Sequence, residues 1–109
     1  MKYILGIETS CDDTSLSIVE VKENETRILA LNSFNQDFIL EKWGGVVPEL
    51  AARSHVKAIP PLLDITFKEA GVKPTDISAV AVTTHPGLIG SLLTGINLAK
   101  TFSLLHKLP

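Results

Sequence analysis

The sequence is poor in the residues that usually announce a mechanism. It has one cysteine, Cys11, so no disulfide can form within the chain. A reducing compartment, the cytoplasm, is the default expectation. Cys11 is followed by Asp12 and Asp13, and acidic neighbours argue against a thiolate nucleophile. Only three histidines are present, His55, His85 and His106. Their spacing matches no metal site, so three unrelated polar contacts are the favoured reading. No Ser/His/Asp or Cys/His set and no His-Glu-x-x-His string occurs, which leaves peptide hydrolysis without its machinery. No apolar run approaches the length of a membrane span. The run after Met1 and Lys2 meets Glu8 too soon to read as a signal peptide. Charge of one sign is scarce as well. Ten Lys+Arg against twelve Asp+Glu give a formal net charge of -2, which is no basic footprint for nucleic acid. Arg53, Lys57, Lys68 and Lys73 offer at most a local patch, and charges on a helix more often form a solvated face.

What is present is an ordinary globular balance, 45% hydrophobic and 20% charged over 109 residues. That is one small domain with a modest core. Tyr3 to Ile7 reads as a buried strand, Leu16 to Val21 as a second, and Arg27 to Ser33 as a third. Polar turns join them into an antiparallel meander. Residues 35–42 are ambiguous, and Gly44-Gly45 breaks whatever precedes it. Pro48 opens a helix, where its missing N–H costs nothing. Pro60-Pro61 should interrupt that helix, which predicts two segments, Pro48 to Ile59 and Pro61 to Ala70. Gly71 is expected to close the second in the left-handed region. Ile77 to Thr83 reads as a strand buried on both faces, in a parallel position. Ser91 to His106 reads as a final helix with Ser91 as its N-cap. The order β-β-β-α-β-α with a mixed sheet is the opening of the ribonuclease-H-like α/β fold of actin, the heat-shock chaperones and the sugar kinases. A simple doubly wound fold would alternate from its first strand. The helix over 91–106 and the apolar residue after it suggest a new strand about to begin. Residues 1–109 are therefore expected to be an incomplete first lobe of a two-lobe protein.

Two turns carry candidate chemistry. Glu8 to Ser15 is dense in hydroxyls and acids. Such a turn can cradle a phosphate, hold a metal ion or its water, or supply a general base. It can equally be a plain polar hairpin turn, and composition alone favours that. The second turn, Pro86 to Ser91, places two glycines and a serine before a helix. Orphan N–H groups and the helix dipole favour an anion there, although glycine at such a turn more often serves close packing.

Three strings taken together sharpen this. ILGIETSCDDTS (4–15), GGVVPELAARSHV (44–56) and PGLIGSLLTG (86–95) occur in this order in the TsaD family, the tRNA threonylcarbamoyladenosine transferases once described as O-sialoglycoprotein endopeptidases. The chain resembles that family over essentially its whole length. The resemblance implies two lobes of actin-like fold and transfer of a threonylcarbamoyl group from threonylcarbamoyl-AMP to N6 of the tRNA adenosine just 3′ of the anticodon. It implies Asp12 as the foremost catalytic residue, with Glu8 and Asp13 beside it. Thr9, Ser10, Gly87, Gly90 and Ser91 would bind nucleotide or substrate. Arg53 and His55 would lie on a face toward tRNA or a partner. Iron or zinc is implied for the whole protein, held by a His-x-x-x-His pair expected just beyond Pro109, and none within this chain. His85 stands where many relatives carry Gly or Arg. Implied partners are tRNA, threonylcarbamoyl-AMP and, in bacteria, TsaB-like and TsaE-like proteins. The piece alone is expected to be inactive, and its exposed surface to favour self-association or a partner. A non-catalytic TsaB-like scaffold and a small-molecule kinase of the same superfamily are the alternatives.

Overall fold

In a computed structural model, the structure describes residues 2–11, 13–35 and 48–109, with the backbone only for 48–52. Asp12 and the Gly44-Gly45 break lie outside the described residues. Strands β1 (Lys2–Glu8), β2 (Thr14–Lys22) and β3 (Glu25–Phe34) form the expected meander. Helix α1 (Pro48–Ala70), strand β4 (Ile77–Val82) and helix α2 (Ile89–Leu105) follow. The sheet runs β3-β2-β1-β4, with β4 parallel to β1 and the other pairs antiparallel.

Register follows from the period-two pattern. Leu5 lies opposite Ile18 and Ile7 opposite Leu16, and all four are buried. A slip of one residue would turn that whole set outward. Ala58 and Leu62 of α1 and Ala99 and Phe102 of α2 close over the same face. Both helices therefore cover one side of the sheet. On the other side Ile28 and Leu31 are exposed. A shallow groove of about 380 Å³ runs there past Gly6, Ser17 and Ala81 to Glu8 and Thr83. Gly6 lets the Ser17 hydroxyl lie over it, where a Cβ would stand 2.5 Å from that oxygen and turn it aside.

Three expectations change. α1 is one helix with Pro60 and Pro61 inside it. Two prolines cost it two N–H donors and crowd the preceding turn. Both prolines are exposed, however, and so are Val56 and Lys57, whose carbonyls lose their partners. Water can reach those carbonyls. The inward stripe His55, Ala58, Ile59, Leu62 and Thr66 stays buried across the interruption, so packing holds the helix where propensity would break it. Second, β4 is parallel but is an edge strand with Ala81 exposed. Among the described residues only one of its faces is covered. Third, α2 is capped by Leu88, and Ser91 lies inside it, wholly buried. Gly71 does take φ 68°. Its N–H donates to Lys68 O at 3.3 Å and the Val72 N–H to Phe67 O at 3.4 Å, a Schellman closure.

Candidate functional site

The parallel strands β1 and β4 end side by side, and ligands of open α/β sheets gather outside such carboxyl ends. The Thr83 N–H donates to Ile7 O at 3.1 Å, which carries the pairing one residue past β4. From there the two candidate turns are stitched together. The Ser10 N–H donates to Glu8 Oε1 at 2.5 Å, and the Thr83 hydroxyl to Glu8 Oε2 at 2.9 Å. The Leu88 N–H donates to Ser10 O at 2.8 Å. Gly87 lies flat on Ser10: a Cβ there would stand 2.8 Å from Ser10 Cβ and closer still to its carbonyl oxygen.

Thr9 goes further and enters α2. Its hydroxyl donates to Ser91 O at 2.6 Å and accepts from the Gly95 N–H at 3.1 Å. Those two groups are the acceptor and donor of a single helical turn. Thr9 is 1% exposed. The approach depends on Gly95, where a Cβ would stand 2.5 Å from Thr9 Oγ1.

Helix α1 reaches the same turn from its other side. His55 is completely buried. Its Nε2 lies 2.9 Å from Cys11 O and its Nδ1 2.5 Å from the Thr14 hydroxyl. His55 was expected on an outward face toward tRNA or a partner. Its ring points inward instead, because its helical position shares the stripe of Ala58, Ile59 and Leu62. Arg53, two residues earlier, is exposed. Lys68, of the conceivable basic patch, bonds Asp64 one turn earlier at 2.9 Å.

Burial pushes the Glu8 carboxyl up. The Ser10 hydroxyl and amide and the Thr83 hydroxyl outweigh that and hold it below the ordinary glutamate value. Glu8 is thus an ionised acceptor with both oxygens committed, which suits bracing better than proton transfer. Asp13, half-buried, stands in the turn just before β2. Gly90 is exposed at the start of α2, and the Ser91 hydroxyl is buried with no hydrogen-bond partner among the described residues. The structure thus gathers Glu8, Thr9, Ser10, Asp13, Gly87 and Ser91 at one end of the sheet.

Among the described residues no three His, Cys, Asp or Glu side chains gather as a ligand set. Both His55 nitrogens are engaged, His85 Nδ1 lies 2.8 Å from the Thr84 hydroxyl, and the His106 ring packs on Phe102 at 4.4 Å. These residues do not fit an iron or zinc centre by themselves. Sequence reasoning missed Thr14, Thr83 and Gly95. A glycine in the middle of a strong apolar helix was the available signal for Gly95, since that position usually marks a close approach.

The family model and the curated relatives agree on one family. The family model described as TsaD, tRNA N6-adenosine threonylcarbamoyltransferase, matches residues 27–109. A tRNA N6-adenosine threonylcarbamoyltransferase of Persephonella marina is 50% identical over 106 residues, 97% of this chain and 30% of the relative. The one of Prochlorococcus marinus is 42% identical over 109 residues, 100% of this chain and 31% of the relative. The chain thus spans about 30% of the length of the curated relatives it matches. Among solved structures, YeaZ from Pseudomonas aeruginosa superposes with a TM-score of 0.71 at 17% identity, covering 100% of this chain and 41% of that one. That likeness confirms the actin-like, ribonuclease-H-like fold.

Proposed function

The chain belongs to the tRNA N6-adenosine threonylcarbamoyltransferase family, and on that premise we propose that the protein containing it modifies tRNA by acyl transfer. In this reading the N6 amine of the adenosine 3′ of the anticodon attacks the carbamoyl carbon of threonylcarbamoyl-AMP. The new N–C bond forms, the bond from that carbon to the phosphate oxygen breaks, and AMP leaves with the electron pair. The amine proton passes to a carboxylate, for which Asp12 and Asp13 are the candidates. Glu8 braces the turn. The N–H groups of Gly87, Gly90 and Ser91 and the positive end of α2 receive the nucleotide's phosphate. tRNA, threonylcarbamoyl-AMP and a TsaB-like and a TsaE-like protein are its proposed partners, in the cytoplasm. Iron or zinc would be held by residues outside this chain. Residues 1–109 form one wall of the site and are inactive alone.

One observation supports this above the rest. The acidic turn and the glycine turn, seventy-odd residues apart, are locked together through Thr9, Ser10 and Leu88 at the carboxyl ends of neighbouring parallel strands. A plain hairpin turn needs no such partner. The scaffold alternative draws on a likeness of fold at 17% identity, against 42–50% to the named transferases. No helix among the described residues is long and apolar enough to cross a membrane.

The test uses the full-length protein with synthetic threonylcarbamoyl-AMP and unmodified tRNA, read by nucleoside mass spectrometry. Asp12→Asn and Asp13→Asn are each made. At least one should slow transfer on the order of 10²–10⁴-fold, the usual worth of general acid–base help. Undiminished transfer by both variants would remove the carboxylates from the mechanism. No transfer by the unmodified full-length protein with its partners present would overturn the function.

A further inference from the structure

His55 sits on α1, 41 residues from Thr14 and 44 from Cys11 in sequence, yet it bonds to both. Cys11 contributes a main-chain carbonyl, which has no proton to give. Nε2 must therefore carry the hydrogen in that 2.9 Å bond. In a neutral ring Nδ1 is then a bare acceptor, and the Thr14 hydroxyl donates to it across 2.5 Å. The chemistry of the partners fixes the tautomer. The two partners bracket the acidic pair: Cys11 comes before Asp12 and Asp13, and Thr14 comes after.

We infer that His55 is a positioning residue for the acidic turn. Its ring spans residues 11 and 14 of that turn and ties both to α1, which sets where the Asp13 carboxylate stands. A histidine that merely filled the core would be replaceable by an apolar side chain of its size. Burying two ring nitrogens is costly unless both are bonded, and here both are bonded to the turn. The inference rests on the reading that this turn carries the transfer chemistry.

The experiment separates the two ring nitrogens in the full-length protein. In His55→Gln the longer side chain carries an amide N–H to about the place of Nε2, so the bond to Cys11 O can be remade. In His55→Asn the shorter amide reaches only the place of Nδ1. Transfer by His55→Asn should fall about 100-fold in kcat, the scale of a small misplacement of reacting groups. Its KM for threonylcarbamoyl-AMP should stay within about threefold, since substrate binding is not what is lost. His55→Gln should recover most of the rate, and the two variants should melt within a few degrees of each other. Backbone amide shifts over residues 11–14 should move in the Asn variant and return in the Gln variant. Equal losses in both variants, in step with their melting temperatures, would make His55 a core filler and overturn the inference, as would full activity in both. Long-range proton–nitrogen spectra of the histidine rings give an independent reading. A proton on Nε2 supports the brace, and a neutral ring protonated on Nδ1 overturns it. If the unmodified protein transfers nothing, the proposed function fails while the ring spectra and the amide shifts still decide the brace.

Discussion

Replacing Gly95 by Ala puts the joint between Thr9 and α2 to a test of sign. In an open helix the change stabilises by about 1 kcal/mol, because glycine loses more backbone freedom on folding. Here the new methyl would stand 2.5 Å from Thr9 Oγ1 and 3.3 Å from Ile7 Cγ2. Ile7 is a core residue and cannot yield far, so Thr9 must swing aside. Its hydroxyl then gives up the bonds to Ser91 O and from the Gly95 N–H. A buried hydroxyl without partners costs about 1–3 kcal/mol, and overpacking costs about 1–3 kcal/mol more. Set against the propensity gain, the net loss is roughly 3 kcal/mol. For a domain of this size that lowers the melting temperature by on the order of 10–20 °C.

Thermal and urea unfolding of the 109-residue chain, followed by far-ultraviolet circular dichroism, measures the change. Thr9→Ala supplies the control. It leaves Ser91 O and the Gly95 N–H, partners by helical spacing, to each other and should cost only about 1 kcal/mol. It also vacates the space that the new methyl needs. The double variant should therefore be more stable than the sum of the singles predicts, with a coupling of about 1–3 kcal/mol. A Gly95→Ala chain as stable as the parent would refute the joint. So would a cycle additive to within about 0.5 kcal/mol.

Gly87→Ala should destabilise by about 2 kcal/mol or more, since φ is 155° and the methyl would strike Ser10; amide shifts at Ser10 and Leu88 locate the damage. Pro60→Ala should stabilise by roughly 1–3 kcal/mol, because it returns an N–H to α1 and removes a clash; an unchanged or lower melting temperature would mean that the proline shapes the helix. Glu8 predicts a pH dependence. Its folded pKa lies below the ordinary 4.5, so its contribution is complete above that value and is lost as pH falls through the folded one. Glu8→Gln should be less stable than the parent at neutral pH, and the gap should close in acid; a gap constant down to pH ~2 would exclude the ionised brace.

The strands were legible because Leu5, Ile7, Leu16 and Ile18 alternate cleanly with Gly6 and Ser17. The break at Pro60-Pro61 was wrong because local rules carry no knowledge of the stripe from His55 to Thr66 packing on the sheet. Ser91 was misplaced by one turn for a similar reason: Leu88 is held by Ser10, a contact invisible in the sequence near either residue. The acidic and glycine turns were found as separate motifs, and their joint was not, since one hydroxyl and one absent side chain leave no pattern. His55 carried a polar label that read as surface. Only the fold reveals that both its nitrogens have partners forty residues away.

The hydroxyl of Thr9, seated in the first turns of α2, has a kinetic meaning as well. A loop that hinges freely can close over a ligand within microseconds. The turns at 9–11 and 83–88 lack that freedom, because moving either one must break the bonds of Thr9 to α2 and peel Leu88 from Ser10. The amides of Ser10, Thr83, Leu88 and Gly95 should then exchange their hydrogens together, as one cooperative unit. A variant that loosens the Thr9 joint should speed the exchange of all four amides by the same factor.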